Sequence, residues 1–215
     1  VEYSSRIRHR GPDDHRRYIL PEKGVFMAQE RLSIIDLETG QQPLFNEDRT
    51  ISVITNGEIY NYRELTKSLV ELGHKFKSHS DAETIVHLYE RYGPEVCAKM
   101  LDGIYAFVLY DSKNDTVFVG RDSIGVKPLY LGRSTTDGTI WFASEMKVLK
   151  DHCDSIQLFQ PGFYYLHKNV SSPDSTPVGE FFRYYEPEWF DPTKFRTENV
   201  DYVELRQTLE KVVEK

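Results

Sequence analysis

Three polar groups in this sequence could bind one small charged molecule together. The stretch Asn56-Gly57-Glu58 interrupts an apolar run that begins at Ile51, Arg31 follows a predicted strand, and Asp81 comes just before a predicted helix. An arginine binds a carboxylate through paired hydrogen bonds, a carboxylate pairs with an ammonium group, and amide N–H groups stabilise an oxyanion. A free α-amino acid with a side-chain amide needs these three kinds of partner.

Each residue also has an ordinary structural interpretation. Asn56-Gly57 is a common turn sequence, Ser80 or Asp81 can cap a helix with a stabilisation of ~1 kcal/mol, and a single Arg31 can be a surface cation. Taken together, the residues favour a site. We predict that the strand ends at Asn56, so that its side-chain amide and the Gly57 backbone N–H face one small cavity.

The surrounding pattern predicts an α+β fold. Apolar residues at helical spacing indicate a helix that stops at Gly73, then a second helix that stops at Gly93-Pro94 and a short third helix toward Met100. Tight turn sequences then separate a predicted antiparallel meander, Ile104–Asp111, Thr116–Arg121, Pro128–Arg133 and Thr139–Ala143, followed by a strand over 162–169. This order favours antiparallel sheets over a parallel doubly wound sheet.

Composition excludes several classes of function. With 215 residues and a net charge of −7, the chain has no overall positive field for nucleic acid or anionic lipid. No apolar run is long enough for a membrane span, and the histidines and cysteines lack the local spacing of a metal site, so we expect no metal. The two cysteines give no disulfide framework, which favours the cytoplasm.

Several motifs together resemble one family. "RHRGPDD" at 8–14, "ERLSIID" at 30–36, "NGEIYN" at 56–61, "SDAET" at 80–84, "RDSIGVKPLY" at 121–130 and "ASEMK" at 143–147 occur in family order. They resemble the glutamine-hydrolysing domain of asparagine synthetases, which are class II glutamine amidotransferases. That resemblance implies an N-terminal-nucleophile hydrolase fold, a four-layer αββα sandwich of antiparallel sheets.

The resemblance also implies an activity and its partners. Glutamine is hydrolysed to glutamate and ammonia, and the ammonia passes to a C-terminal synthetase domain that amidates aspartate. This implies L-glutamine as ligand and no cofactor in this chain, with ATP and Mg²⁺ used only by the synthetase domain. The resemblance does not decide whether the protein forms a homodimer.

Residue roles follow from the same motifs. By the resemblance, Arg31 binds the glutamine α-carboxylate, and Asn56 and Gly57 form the oxyanion hole. Glu58 and Asp81 receive the substrate ammonium and its polar neighbours. The rest of the pocket lining is Leu32, Ser33, Ile34 and Ile35. Gln29 stands where family members commonly have histidine, so we expect no histidine role at that position.

The domain limits and the nucleophile depart from the family pattern. We predict an amidotransferase domain over 1–186, and a linker with the first helix of a synthetase domain over 187–215. The family attacks with an amino-terminal cysteine, whereas this chain begins with Val1, and Cys97 and Cys153 have the context of inert packing thiols. The expectation is a piece of a longer protein that is inactive alone.

Two alternatives stay open. One is a degenerate amidotransferase-like domain that binds an amino acid or a partner domain without catalysis. The other is an active glutaminase that serves a different acceptor.

Overall fold

We describe the fold from a computed structural model. It describes residues 3–32, 36, 38–172, 179–194 and 201–213. The chain divides into two compact units, Val1–Tyr185 and Glu186–Lys215. The assignment of the second unit to a linker and a synthetase domain stays a prediction.

The first unit is built mainly from antiparallel strands. Its strands are β1 (Asp14–Leu20), β2 (Val25–Arg31), β3 (Leu44–Phe45), β4 (Ile51–Ile59), β5 (Gly103–Asp111), β6 (Thr116–Arg121), β7 (Tyr130–Arg133), β8 (Ile140–Ala143), β9 (Ser155–Leu158), β10 (Phe163–Lys168) and β11 (Glu180–Arg183). Its helices are α1 (Tyr62–Glu71) and α2 (Glu83–Met100), with 3-10 turns at Ser4–Arg10, Pro21–Lys23 and Met146–Val148. The second unit contains α3 (Tyr202–Val213) and 3-10 turns at Glu188–Phe190 and Pro192–Lys194. Among the described helices, none has the length and apolar character needed to cross a bilayer.

A six-stranded antiparallel sheet in the order β11-β10-β6-β5-β4-β3 forms the centre of the first unit. Strand β5 shows how it divides the core, because alternate side chains of a strand point to opposite faces. Tyr105 and Phe107 pack into the cluster that contains the helices, whereas Ala106 and Val108 pack into a second cluster on the other face. The sheet is therefore apolar on both sides.

The helices cover one face of this sheet. The buried residues of α1 are Leu65 and Leu69, and those of α2 include Ile85, Leu88 and Tyr89, as the apolar spacing predicts. The same spacing places Leu72 on the first stripe, but this residue follows the end of α1 and is 48% exposed. Gly93 has φ 78°, outside the helical region, so helical geometry breaks where we predicted the stop. The cap predicted at Ser80 or Asp81 is wrong, because neither side chain bonds to the first turn of α2 in the described structure.

Two smaller sheets complete the first unit. Strands β1 and β2 form a hairpin, and a three-stranded sheet has the order β8-β7-β9. The predicted meander is therefore divided, with β5 and β6 in the large sheet and β7 and β8 in the small one. The α+β class with antiparallel sheets is confirmed, while β1, β3, β9 and β11 were not predicted.

Strand β4 does not end at Asn56, which corrects our prediction. It stays paired with β5 as far as Ile59, and Gly57 lies opposite Tyr105. Gly57 has φ 142°, and a Cβ built there would lie 2.0 Å from the carbonyl oxygen of Ile104. The strand continues because a glycine allows both the unusual backbone angle and the close approach.

Candidate active site

One large cavity of about 1160 Å³ contains most of the predicted site. Residues from β2, β4 and the segment before α2 line it. The predicted residues that it brings together are Arg31, Leu32, Asn56, Gly57, Glu58 and Asp81. The predicted pocket residues Ser33, Ile34 and Ile35 lie outside the described residues. The three polar groups that we singled out in the sequence therefore share one concave space.

The open edge of β4 forms one wall of this cavity. Strand β3 pairs only with Ser52 and Val53, so the edge beyond them needs other partners. Gln42 Oε1 accepts from the Thr55 N–H at 2.6 Å, and the Gln29 side-chain amide donates to the Thr55 carbonyl at 3.0 Å. Side chains thus take the place of a neighbouring strand along this edge.

Asp81 supports the same edge of β4 four residues beyond Thr55. Its Oδ2 accepts from the Ile59 N–H at 2.7 Å. This bond is why Asp81 does not act as the predicted helix cap. The carboxylate instead fixes the end of β4, and it is buried at the cavity wall.

Two N–H donors lie between these supports. The Asn56 Nδ2 is buried and has no hydrogen-bond partner among the described residues. Hydrogen-bonding direction alternates along an antiparallel strand, and Thr55 and Ile59 both bond away from β5. The N–H of Gly57 therefore faces the same edge. Its cross-strand neighbour Tyr105 agrees with this, because its backbone N–H and carbonyl both bond to Asp122.

Two acids stand beside the donors. Glu58 is half-buried and lines the cavity, and Asp81 is 5% exposed. Burial raises the pKa of Asp81, the nearby Glu58 charge raises it further, and bonds from backbone N–H groups such as that of Ile59 oppose the rise. A cation in the cavity would favour the ionised form of Asp81. Two carboxyl groups at one cavity wall can pair with a cation such as an ammonium group.

Arg31 lies at the end of β2 and is 8% exposed. One amino group of its guanidinium, Nη2, donates to the Asp36 carbonyl at 2.7 Å. A Cβ at Gly40 would come within 2.9 Å of the same nitrogen. A glycine is needed at that position because the guanidinium packs directly against the backbone. The arginine is thus held in one orientation at the cavity wall.

The "RHRGPDD" motif supports the strand end that carries Arg31. A Cβ at Gly11 would lie 2.1 Å from the Glu30 carbonyl oxygen, so the loop and strand backbones are in close contact. The Asp13 N–H also donates to the Arg31 carbonyl at 3.0 Å. This motif therefore positions the arginine.

The 3-10 turn Ser4–Arg10, which includes the first residues of this motif, contacts "ASEMK" and Asp151 through side chains. Arg10 lies 3.3 Å from the Glu145 carboxylate, and Arg6 donates to the Lys147 carbonyl at 2.9 Å. Arg6 also pairs with Asp151 at 2.6 Å. These contacts hold the first 3-10 turn beside the cavity.

The "RDSIGVKPLY" motif forms a turn held by side chains. The Asp122 carboxylate accepts N–H bonds from four turn residues and from the strand residue Tyr105. Arg121 donates to the carbonyls of Gly125 and Lys127 at 2.8 Å each, and to that of Phe159. This network turns the chain out of the large sheet toward β7.

Neither cysteine of the chain is a nucleophile for this cavity. Cys97 is fully buried in the helix-side core, and burial raises its thiol pKa far above the ordinary range. Cys153 packs against Gly132, and its pKa is raised by burial and by the nearby acids Asp154 and Asp137. Neither thiol lines the cavity, and protonated thiols are poor nucleophiles.

Sequence reasoning missed Gln42, whose bonding partner Thr55 lies thirteen positions further on. No local pattern marks such a contact. It noted Gln29 only as a departure from the family, whereas the structure gives this residue a bridging role between β2 and β4.

Comparison with known families identifies the family of this chain. The family model described as "Glutamine amidotransferase domain" matches residues 1–183. The chain belongs to the glutamine amidotransferase domain family.

The individual proteins that the chain is similar to include glutamine-hydrolysing asparagine synthetases. The chain is 49% identical over 190 residues to a probable glutamine-hydrolysing asparagine synthetase of Dictyostelium discoideum, covering 88% of the chain and 32% of that protein. It is 43% identical over 213 residues to the glutamine-hydrolysing asparagine synthetase 3 of Arabidopsis thaliana, covering 99% and 34%. The chain thus spans about a third of the length of the curated relatives it matches.

Solved structures share the fold. The glutamine phosphoribosylpyrophosphate amidotransferase of B. subtilis, solved with ADP and GMP, has a TM-score of 0.55 at 22% identity, covering 68% of this chain and 32% of that one. A structure described as the allosteric regulatory enzyme of purine biosynthesis gives 0.55 at 23% identity, covering 68% and 31%.

Proposed function

We propose that this chain is the glutamine-hydrolysing domain of an asparagine synthetase. The observation that carries the proposal is the Asn56 amide, which is buried and has no partner among the described residues, beside the Gly57 N–H in the cavity that Arg31 and Asp81 also line. The similarity to glutamine-hydrolysing asparagine synthetases supports the choice of ligand and of nitrogen acceptor.

The ligand is bound at both charged ends. The Arg31 guanidinium takes the glutamine α-carboxylate, and Asp81 with Glu58 takes the α-ammonium. The side-chain amide then lies against the edge of β4. Because the binding groups come from three separate elements, they fix the substrate in one orientation.

The chemistry is acyl transfer to a thiol. The amino-terminal cysteine that the family resemblance implies attacks the side-chain carbonyl carbon, and the carbonyl oxygen becomes an oxyanion. The Asn56 Nδ2 and Gly57 N–H donate to that oxyanion. Ammonia leaves as the thioester forms, and water then hydrolyses the thioester to glutamate.

The proposal extends to the complete protein. The ammonia is used for ATP-dependent amidation of aspartate by a synthetase domain of the same polypeptide. ATP and Mg²⁺ belong to that domain.

One assay separates this proposal from its alternatives. The full-length protein is incubated with glutamine, aspartate, ATP and Mg²⁺, and glutamate and asparagine are both measured. We expect both products. Glutamate without asparagine would indicate another acceptor, and neither product would indicate a degenerate binding domain.

A further inference from the structure

A second cluster of metal-binding side chains lies outside the cavity. Glu47 from the β3–β4 connection, His74 after α1, and His87 and Glu90 from α2 each offer a ligand atom, and these atoms lie within 4.8 Å of one another. None of the four lines the large cavity. The cluster therefore lies outside the site proposed above.

Three of the contacts within this cluster are longer than hydrogen bonds and close to the separation of ligand atoms around one metal ion. His74 Nδ1 lies 3.6 Å from Glu47 and 3.7 Å from Glu90, and His87 Nδ1 lies 3.5 Å from Glu47. Hydrogen bonds between such groups are typically about 2.7–3.2 Å long. Ligands about 2.0–2.2 Å from a tetrahedral zinc ion are roughly 3.3–3.6 Å apart.

His87 provides an independent sign of a ligand. Its side chain is 0% exposed, and neither ring nitrogen has a hydrogen-bond partner among the described residues. A buried polar group without a partner is costly. A cation bound at Nδ1 would supply the missing interaction at the nitrogen that faces the cluster.

His87 has a carboxylate beside Nε2, the ring nitrogen that faces away from the cluster. Its Nε2 lies 3.5 Å from the carboxylate of Glu83, which is itself buried. Glu83 is fixed by the N–H groups of Lys77 and Ser78, each at 2.7 Å. Histidines that bind a metal commonly have a carboxylate beside the nitrogen that does not bind it, and Glu83 has that position relative to Nε2.

The carboxylate ligands are oriented as well. Glu47 accepts from the Lys75 N–H at 2.8 Å, and Glu90 accepts from the Asn46 amide at 3.0 Å. These bonds leave the carboxylates directed toward the two imidazoles. Each carboxylate of the cluster is thus held by a hydrogen bond from a residue outside the cluster.

We propose that Glu47, His74, His87 and Glu90 form a structural Zn²⁺ site. Two imidazole nitrogens and two carboxylate oxygens suit zinc, and four protein ligands leave no open position for catalysis. The ion would join the β3–β4 connection and the end of α1 to α2, the helix that follows Asp81.

The test uses the full-length protein without a histidine tag. Metal is removed with a chelator, the chelator is dialysed away, and Zn²⁺ is added back while bound zinc and the melting temperature are measured. We compare His74→Ala and the conservative Glu90→Gln with the control Glu95→Gln. Glu95 lies on the same helix and pairs with Lys99 at 2.6 Å, outside the cluster.

We expect wild type and Glu95→Gln to take up one more zinc per chain than His74→Ala or Glu90→Gln. Zinc should raise the melting temperature of the first pair and leave that of the second pair unchanged. Cobalt in place of zinc should give the visible absorption of a tetrahedral site in the wild type. Equal zinc uptake and no zinc-dependent melting shift in all four proteins would overturn the site and leave an ion-pair network.

Discussion

The Asn56 side chain carries a hydrogen-bond donor that the described part of the fold does not use. Its amide nitrogen is buried without a partner in the described structure, which lowers stability unless a ligand uses it. Asn46 shows the contrasting case. Its Oδ1 accepts from the Ile51 N–H at 3.0 Å, and its amide donates to Glu90. One asparagine supports the fold, and the other is available to a substrate.

Replacing Asn56 should therefore affect catalysis, and replacing Asn46 should affect stability. We expect Asn56→Ala to lower kcat for glutamine about 10²–10³-fold, the usual loss for one oxyanion donor, with little loss of unfolding free energy. Asn46→Ala should lower the unfolding free energy and leave kcat nearly unchanged. Steady-state kinetics and urea denaturation check both. A stability loss with unchanged kcat in Asn56→Ala would contradict the oxyanion role.

The raised pKa of Asp81 predicts a pH dependence of glutamine binding. Only the ionised carboxylate attracts the substrate ammonium, so KM for glutamine should rise as the pH falls through this pKa. The rise should begin above the ordinary aspartate value of about 3.9. The folded state binds this proton more tightly than the unfolded chain does, because the folded pKa of Asp81 is raised. The contribution of Asp81 to the unfolding free energy therefore falls as the pH rises from the unfolded pKa through the folded pKa.

The pH series is measured on wild type and Asp81→Asn. In Asp81→Asn, KM for glutamine should be high at every pH, and the rise in KM at low pH should disappear. An unchanged profile in Asp81→Asn would assign the titration to another group.

At the scale of elements, the open edge of β4 is the feature that makes the site. A complete neighbouring strand would bond to Thr55, Gly57 and Ile59. Here Gln42 and Gln29 satisfy Thr55, and Asp81 satisfies Ile59. Gly57 lies between them, with its N–H directed to the same edge. The edge can donate to a substrate because it is only partly covered.

Two adjacent glutamines allow a matched test of that support. Gln42→Leu leaves the Thr55 N–H without its acceptor, so we expect a loss of about 1–3 kcal/mol of unfolding free energy. Gln41 is exposed, and its Oε1 accepts from an Arg16 side-chain N–H at 2.6 Å. Gln41→Leu should change stability by less than about 0.5 kcal/mol. Equal losses in urea denaturation would contradict the bridging role of Gln42.

The sequence predicted elements well where local pattern decides them. Helical stripes such as Leu65 and Leu69, and the stop at Gly93, follow from side-chain periodicity and backbone freedom. The end of β4 was predicted wrongly, because Asn-Gly is a turn signal unless a neighbouring strand is present. Pairing with Ile104 and Tyr105, far along the chain, overrides that preference.

At the scale of the whole molecule, the site is assembled from distant segments. The Arg31 strand end, the β4 edge and the Asp81 segment meet only because the small β1–β2 hairpin and α2 both border the large sheet. Their residue types were predictable from the chemistry of a zwitterionic amide ligand. Their shared cavity was not, since it depends on contacts such as Gly11 against Glu30 that no local pattern encodes.

The proposed zinc cluster shows the same limit. His87 and Glu90 lie one turn apart on α2, but Glu47 and His74 come from two other segments. The sequence therefore predicted no metal, because the ligand spacing is long-range and irregular. Only the folded arrangement brings the four side chains together.

The most direct test of the account is the choice of nitrogen donor in Arg31→Ala. In the full-length protein, KM for glutamine should rise roughly 30-fold or more, the counterpart of about 2 kcal/mol for a lost charged contact. Asparagine formation from free ammonia should be unchanged. The control Arg17→Ala removes an exposed arginine on β1 and should behave as wild type. Unchanged glutamine-dependent synthesis in Arg31→Ala would contradict the proposed site.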